Sequence, residues 1–150
     1  MRTCLALLAA MMLSSAAVAA ESAPDIGQAI VQWKEAVESR DSDAIVALYD
    51  SKAIMISTFA QAPLASRAAL KAYYKQVVQN PDIKIDITEQ HPRRFGDIAI
   101  NSGQYTLSYT QEGEDMEIPA RFSFVYQLKG GKWVIVDHHS SGVPTEQQYK

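Results

Sequence analysis

The sequence contains only one cysteine, Cys4, among its 150 residues. Cys4 lies in an N-terminal segment that we expect to be removed from the mature protein. A mature chain without cysteine can form no disulfide, no thiolate nucleophile and no zinc–thiolate site. An ordinary hydrophobic core must therefore stabilise the domain.

The sequence also lacks a run of basic residues. It carries 14 basic and 17 acidic residues, and only Arg2 among the charged residues lies in the first twenty positions. Removal of this segment leaves a net charge of 13 − 17 = −4. A mildly acidic domain without a basic patch is a poor candidate for binding nucleic acid or an anionic membrane. We expect neither partner.

The apolar run at the N-terminus is too short to cross a membrane, which needs about 20 residues. This run, Cys4–Leu13, follows the positive charge of Arg2 and precedes the small-residue motif Ala17-Val18-Ala19. The pattern is typical of a secretory signal peptide. We predict a leader over residues 1–20, cleaved after residue 19 or 20, and an exported protein, periplasmic or secreted. Residues 21–150 then form a single domain without a membrane segment.

Apolar residues recur at helical spacing in the first half of this domain. Ile26, Ile30, Trp33 and Val37 predict an amphipathic helix over residues 24–39. The sequence further predicts a second helix capped by Asp41 or Ser42 and ending at Tyr49, a strand over residues 53–58, and a third helix capped by Ser66 that ends before Pro81.

After Pro81 the apolar period changes to two, which marks half-buried strands. A first strand covers residues 83–88, and three longer ones follow over residues 97–110, 116–128 and 132–141, with turns at residues 112–115 and 130–131. This order predicts an α+β fold, with three N-terminal helices packed on one face of a curved, mainly antiparallel sheet. The cavity between the helices and the sheet is the default ligand site.

The segment "GGKWVIVDHHSSGVP" (residues 130–144) carries most of the candidate chemistry. His138 and His139 are neighbours on a predicted strand, so their side chains point to opposite faces and cannot bind one metal together. Asp137 faces away from His138 and Ser140, which argues against a Ser-His-Asp triad. We therefore expect no metal and no cofactor, and the catalytic residues stay unassigned.

The same alternation predicts which residues of this segment face the cavity. Trp133 and Ile135 must be buried, so Asp137, His139 and Ser141 on the same row are expected to continue inward to the cavity mouth. The segment then forms a pocket wall. The alternative is that His139 only bonds a carbonyl at the end of the strand.

Arg121 is the candidate for binding an anion. It alternates along its strand with the aromatic row of Phe122, Phe124 and Tyr126, which we expect to be core or subunit interface. This arrangement leaves the opposite face, with Arg121, for the cavity. Arg121 is then either a surface charge or a buried clamp whose planar guanidinium suits a carboxylate ligand.

Tyrosines and one glycine complete the candidate set. Tyr105 could offer its hydroxyl to a ligand, although packing in the core is the alternative. Gly103, two residues earlier in the same strand, predicts a bulge or a close approach of another backbone. Tyr49, Thr58 and Tyr73 are further candidates for the pocket wall.

The order of these elements, together with "INSGQYTLSY", "PARFSFVYQL" and "GGKWVIVDHHSSGVP", resembles the nuclear transport factor 2-like superfamily, the cystatin-like cone. Within it the chain is similar to the SnoaL-like branch. More narrowly it resembles the association domain of calcium/calmodulin-dependent protein kinase II and its stand-alone bacterial relatives. Nothing here resembles a kinase domain, so kinase activity is not implied.

The resemblance implies dimers or larger rings built through the sheet, and a small ligand in the cone. It also favours Arg121 as a cavity residue, because related cones line their pocket with arginine. Ketosteroid-isomerase-like members use a catalytic aspartate with a tyrosine and a second acid. That set cannot be placed on residues of this sequence.

Two functions follow from this interpretation. The first is an exported, non-catalytic module that binds a small ligand and assembles with itself as a homodimer or larger ring. The second is a SnoaL-like enzyme, an isomerase, cyclase or oxidoreductase-labelled protein, acting on a small carbonyl or polyketide-like substrate. We prefer the first, because the sequence shows no nucleophile, metal set or nucleotide motif. Arg121 and His139 would suffice to bind an anion, so a small carboxylate is the expected ligand.

Overall fold

The computed structural model describes residues 25–144, with three helices and a five-stranded sheet. The helices are α1 (Ile26–Glu38), α2 (Ser42–Ala47) and α3 (Arg67–Val77). The strands are β1 (Tyr49–Ile56), β2 (Lys84–Phe95), β3 (Ile98–Gln111), β4 (Glu114–Lys129) and β5 (Lys132–Gly142).

Each helix begins at a polar side chain that accepts hydrogen bonds from the free N–H groups of the first turn. Asp25 caps α1 by accepting from Gly27 N, Asp41 caps α2, and Ser66 caps α3 by accepting from Ala69 N. The predicted caps of the second and third helices are confirmed, with Asp41 rather than Ser42 in that position. The second helix is shorter than predicted, because Tyr49 already belongs to β1.

The sheet has the strand order β1-β5-β4-β3-β2, and only the β1–β5 pair is parallel. The two later hairpins turn at Glu112-Gly113 and Gly130-Gly131, where all four residues have positive φ, as two-residue hairpin turns require. The α+β class and the curved sheet agree with the prediction. The description of three N-terminal helices holds only in part, because β1 separates α2 from α3.

The core lies between the helices and one face of the sheet, which we call the inner face. Ile30, Trp33 and Val37 of α1 are buried there in one core with Phe124 and Tyr126 of β4, and the ring of Trp33 meets that of Phe124 edge-on at 5.2 Å. The helical periodicity of α1 therefore identified core residues correctly. The aromatic row of β4 belongs to the same core, which puts Arg121 on the opposite, outer face.

A bulge in β5 reverses the alternation of this strand. Tyr126 of β4 pairs with Ile135, but the neighbouring Val125 pairs with Asp137, so Val136 is an additional residue in β5. Beyond the bulge the side chains that face inward are His138 and Ser140, which are buried. The predicted inward row of Asp137 and His139 is therefore wrong, since both side chains are exposed on the outer face.

Gly103 of β3 confirms the expectation of a bulge or close backbone approach. The pairing between β2 and β3 shifts between Ile87 and Glu89, next to the pair that this glycine forms with Gln90. A Cβ atom at position 103 would lie 2.0 Å from the carbonyl oxygen of Glu89. Only glycine fits at this position, and the bulge bends β2 around it.

Candidate functional site

The cone cavity lies between the inner face of the sheet and helices α1 and α3. Its volume is about 30 Å³, which is room for one or two water molecules or for one polar group of a larger ligand. The wall is apolar except for an indole, three tyrosines and three small hydroxyl residues, and none of the lining residues is charged. The polar lining residues are Trp33, Ser57, Thr58, Tyr73, Tyr74, Tyr105 and Ser140.

One hydroxyl cluster joins the turn after β1 to β3 and β5 at this cavity. The Oγ of Ser140 lies 2.8 Å from the hydroxyl of Tyr105 and 3.1 Å from Oγ1 of Thr58. Ser140 can reach the cavity only because the β5 bulge turns it inward. A hydroxyl both donates and accepts, so the cluster can offer either role to a polar group in the cavity.

A second hydrogen-bonded pair stands at the side of the cavity near α3. The Oγ of Ser57 lies 2.5 Å from the hydroxyl of Tyr73 and also accepts from the backbone N–H of Phe59 at 3.2 Å. Ser57 is buried at the end of β1. This residue therefore fixes the start of the β1–α3 loop against the third helix.

A buried chain of hydrogen bonds runs beneath the cavity. The indole N–H of Trp33 donates to the hydroxyl of Tyr74 at 3.1 Å, Tyr74 is bonded to Tyr49 at 2.6 Å, and Tyr49 to Nδ1 of His138 at 2.8 Å. The imidazole of His138 stacks on Phe124 with ring centroids 3.9 Å apart. The hydrogen bonds tie α1, α3, β1 and β5 together, and the stacked ring adds β4.

The hydrogen-bond pattern indicates which nitrogen of His138 carries the proton. If Nδ1 donates to Tyr49, the hydroxyl of Tyr49 can donate to Tyr74, and that of Tyr74 to the sulfur of Met55 at 3.5 Å. Every donor of the chain is then used. The other tautomer places an N–H on Nε2, which has no partner within residues 25–144. Because a buried donor without an acceptor is rarer than a buried free acceptor, the Nδ1–H form is favoured.

Burial holds the titratable groups of this region in their neutral forms. Desolvation lowers the pKa of His138 to about 3, since a charged imidazole would have no water around it. Desolvation also raises the pKa of Tyr105 to about 12 and keeps the pKa values of Tyr49 and Tyr74 well above their usual range. The cavity and its floor are therefore uncharged at neutral pH.

Comparison with known proteins assigns the family. A family model described as a SnoaL-like domain matches residues 26–146. The chain belongs to the SnoaL-like domain family. Among curated proteins no match was found for this SnoaL-like domain.

Solved structures share the fold of this SnoaL-like domain. A candidate calcium/calmodulin-dependent protein kinase II association domain from Xanthomonas campestris is similar at 27% identity and a TM-score of 0.75, covering 79% of this chain and 86% of that one. A candidate domain of the same kind from Thiobacillus denitrificans has 23% identity and a TM-score of 0.68, covering 81% and 97%. A candidate dehydratase of the nuclear transport factor 2-like family from Streptomyces avermitilis has 17% identity and a TM-score of 0.72, covering 80% and 95%. The resemblance to this superfamily is confirmed.

Of the residues predicted to bind a ligand in this SnoaL-like domain, Tyr105 alone lines the cavity. Ser141 is half-buried, pairs with Arg121 and does not line the cavity, and Asp137 and His139 are exposed on the outer face. Arg121 is also exposed there, and its guanidinium donates to the carbonyl of Gly142 at 3.4 Å. Its expected position in the cavity is wrong, because the larger aromatic row of β4 faces the helices instead.

The sequence interpretation did not select Ser140 or His138 for the interior of the SnoaL-like cone. Their orientation depends on the β5 bulge at Val136, for which the sequence offers no glycine or proline as a signal. Thr58 and Tyr73 do line the cavity as expected, whereas Tyr49 lies beneath it.

Two further properties of the SnoaL-like domain concern metals and membranes. Within residues 25–144, no group of three or more histidine, cysteine or acidic side chains is placed to hold a metal ion. In the same part of the chain, no helix has the length and apolar character needed to cross a membrane.

Proposed function

We propose that this protein is an exported module that binds a small uncharged ligand, with a polar group of that ligand in the cone cavity. The observation that carries the proposal is the lining of the cavity, which combines apolar side chains with the hydroxyls of Tyr105, Ser140 and Thr58 and no charged group. The export part rests on the leader pattern of residues 1–20, which lie outside the described residues. N-terminal sequencing of the mature protein tests it, and an intact Met1 would refute it.

An uncharged ligand fits this cavity better than the carboxylate expected from the sequence. A carboxylate in the cavity would lose its hydration without meeting a cation, because Arg121 and His139 are exposed on the other side of the sheet. Burial of an unpaired charge costs several kcal/mol. A ligand hydroxyl or carbonyl, in contrast, needs only the hydrogen bonds that the serine and tyrosine hydroxyls offer.

The titration behaviour of the cavity favours binding over acid–base catalysis. A general acid or base works best with a pKa near the working pH. Tyr105 has a pKa raised to about 12 by burial, and the pKa of Tyr73 is raised for the same reason. His138, with a pKa of about 3, lies beneath the cavity rather than in its wall. The enzyme alternative would need a proton-transfer group that this wall does not offer.

Phenol, a neutral probe with one hydroxyl, is expected to bind and raise the melting temperature at pH 7, whereas benzoate is expected to have no effect. Tyr105→Phe removes one hydroxyl from the cluster and should weaken phenol binding about fivefold, as expected for one net hydrogen bond. Isothermal titration calorimetry on both proteins measures this change.

Tyr126→Phe is the matched control, because Tyr126 is also buried on the inner face but does not line the cavity. This variant should bind phenol like the wild type. If benzoate stabilises the protein more than phenol does, and Arg121→Ala abolishes that effect, the carboxylate ligand of the sequence interpretation is correct and the uncharged one is wrong.

We further propose that the protein is a homodimer built on the outer face of the sheet. Ile54 and Ile56 of β1 are exposed there, at 42% and 46% of their full accessible surface. They lie beside Asp137 and His139 of β5. Neighbouring large apolar side chains that are exposed on one face of a sheet favour association with a second copy of the same surface.

The double variant Ile54→Glu/Ile56→Glu is expected to be monomeric, while the wild type is dimeric at micromolar concentration. Each protomer would bring two carboxylates into the symmetric interface, and these like charges would repel one another. Light scattering measures both masses. Phe59→Glu is the control, since Phe59 is equally exposed but lies near the cavity, and it should stay dimeric. A monomeric wild type contradicts the proposal.

A further inference from the structure

A second, larger pocket adjoins the cone cavity on the side of α3. Its volume is about 190 Å³. Four residues line both spaces: Phe59, Tyr73, Val77 and Leu107. We call this second space the outer pocket. The shared side chains show that the two spaces adjoin, so the outer pocket is the nearest described space for the rest of a ligand whose polar end occupies the cone cavity.

The outer pocket has side-chain amides where the cone cavity has serine and threonine hydroxyls. Three aromatic rings, those of Phe59, Tyr73 and Tyr109, surround it together with the amides of Gln76 and Asn80. None of its lining residues is charged. Aromatic rings favour flat ligands, which they contact by offset stacking or edge to face.

We propose that Phe59 and Tyr73 hold the second ring of an uncharged, two-ring ligand whose hydroxyl lies in the cone cavity. This inference rests on the proposed function and adds the ligand class: a fused or linked aromatic bearing a neutral hydroxyl or carbonyl at one end. The small cone cavity admits the polar group, and the outer pocket takes the rest of the molecule.

The two side chains have different parts in this site. Tyr73 is fixed, because its hydroxyl is bonded to Ser57 at 2.5 Å and its ring contacts Tyr74 edge-on at 5.2 Å. Phe59 lies in the turn after β1, is 53% exposed, and stacks on no other ring within residues 25–144. An exposed phenylalanine gains buried surface when a ligand ring covers it. The Phe59 ring can therefore change its position to fit the ligand. Its position sets the size of the ligand that the outer pocket accepts.

Comparison of phenol with 2-naphthol tests the inference, because the two probes share the hydroxyl and differ by one ring. On the wild type 2-naphthol should bind about tenfold more tightly than phenol. Phe59→Ala should weaken the binding of 2-naphthol more than that of phenol and so remove most of this advantage, and Phe59→Leu should fall between the two. Calorimetric titration gives the dissociation constants of phenol and 2-naphthol for the wild type and for each variant.

Phe95→Ala is the matched control, since Phe95 is an exposed phenylalanine that lines neither space. It should keep the wild-type preference for 2-naphthol. If Phe59→Ala keeps that preference too, the outer pocket is not the site of the second ring. Phenol binding that still depends on Tyr105 would then leave the proposed function intact. If neither probe binds the wild type, the proposed function fails and this inference fails with it.

Discussion

Gly103→Ala is expected to lower the free energy of unfolding by about 3 kcal/mol, at the upper end of the range for an overpacked interior. The new Cβ would lie 2.0 Å from the carbonyl oxygen of Glu89 and 2.9 Å from the Cα of Gln90. Both are backbone atoms of β2, so no side-chain rotation can relieve the contact. The variant must displace β2 from β3 or lose the β2 bulge. Urea unfolding monitored by circular dichroism measures the loss.

Gly142→Ala is the matched control for this prediction. Gly142 also lies in a strand of the sheet, but a Cβ there would meet only Cγ2 of Thr58, at 3.9 Å. We expect a change within about 0.5 kcal/mol, as for substitutions that create no strain. If the two variants lose similar stability, the close approach of β2 and β3 does not determine the choice of glycine at position 103.

The sequence predicted the helices and strands of the fold better than it predicted which side chains face the cone cavity. Helix periodicity found the buried face of α1, and Asp41 and Ser66 were recognised as caps. These features depend on neighbours along the chain, so a local pattern is sufficient to find them. Gly103 was recognised for the same reason, since a glycine inside a strand signals a backbone contact wherever the partner lies.

The orientation of the site residues could not be predicted from strand alternation alone. His138 and Ser140 face inward because Val136 forms a bulge where β5 pairs with β4. A bulge of this kind depends on the partner strand, and one additional residue moves every later side chain to the other face. The error at His139 and Asp137 has this single cause.

Arg121 illustrates a different error, one that the sequence could have avoided. On β4 the choice lay between a face with three aromatic side chains and a face with Arg121, Ser123 and Val125. The helices need the larger apolar surface as a partner, so the aromatic face had to be the inner one. The resemblance to related cones with an arginine in the pocket favoured the opposite choice.

His138 is expected to make the protein lose stability on mild acidification. Its pKa is about 3 in the folded chain and 6.5 in an exposed imidazole. Below pH 6.5 the unfolded chain therefore binds a proton that the folded chain does not, so the free energy of unfolding falls as the pH falls towards 3. Between pH 7.5 and pH 5.0 this one group should lower it by about 2 kcal/mol. Urea unfolding at the two pH values gives the difference directly.

His138→Asn isolates this contribution, because an amide can still bond Tyr49 and does not titrate. The groups that pack around His138 are Trp33, Tyr49 and Phe124, and none of them is charged in this pH range. The variant should be less stable at pH 7.5, where it loses the stacked ring, but nearly independent of pH down to 5.0. His139→Asn should keep most of the wild-type pH dependence, because desolvation lowers the pKa of His138 more than the charge of the exposed His139 does. A wild-type loss that persists in His138→Asn would mean that other groups, not the buried imidazole, make the fold sensitive to acid.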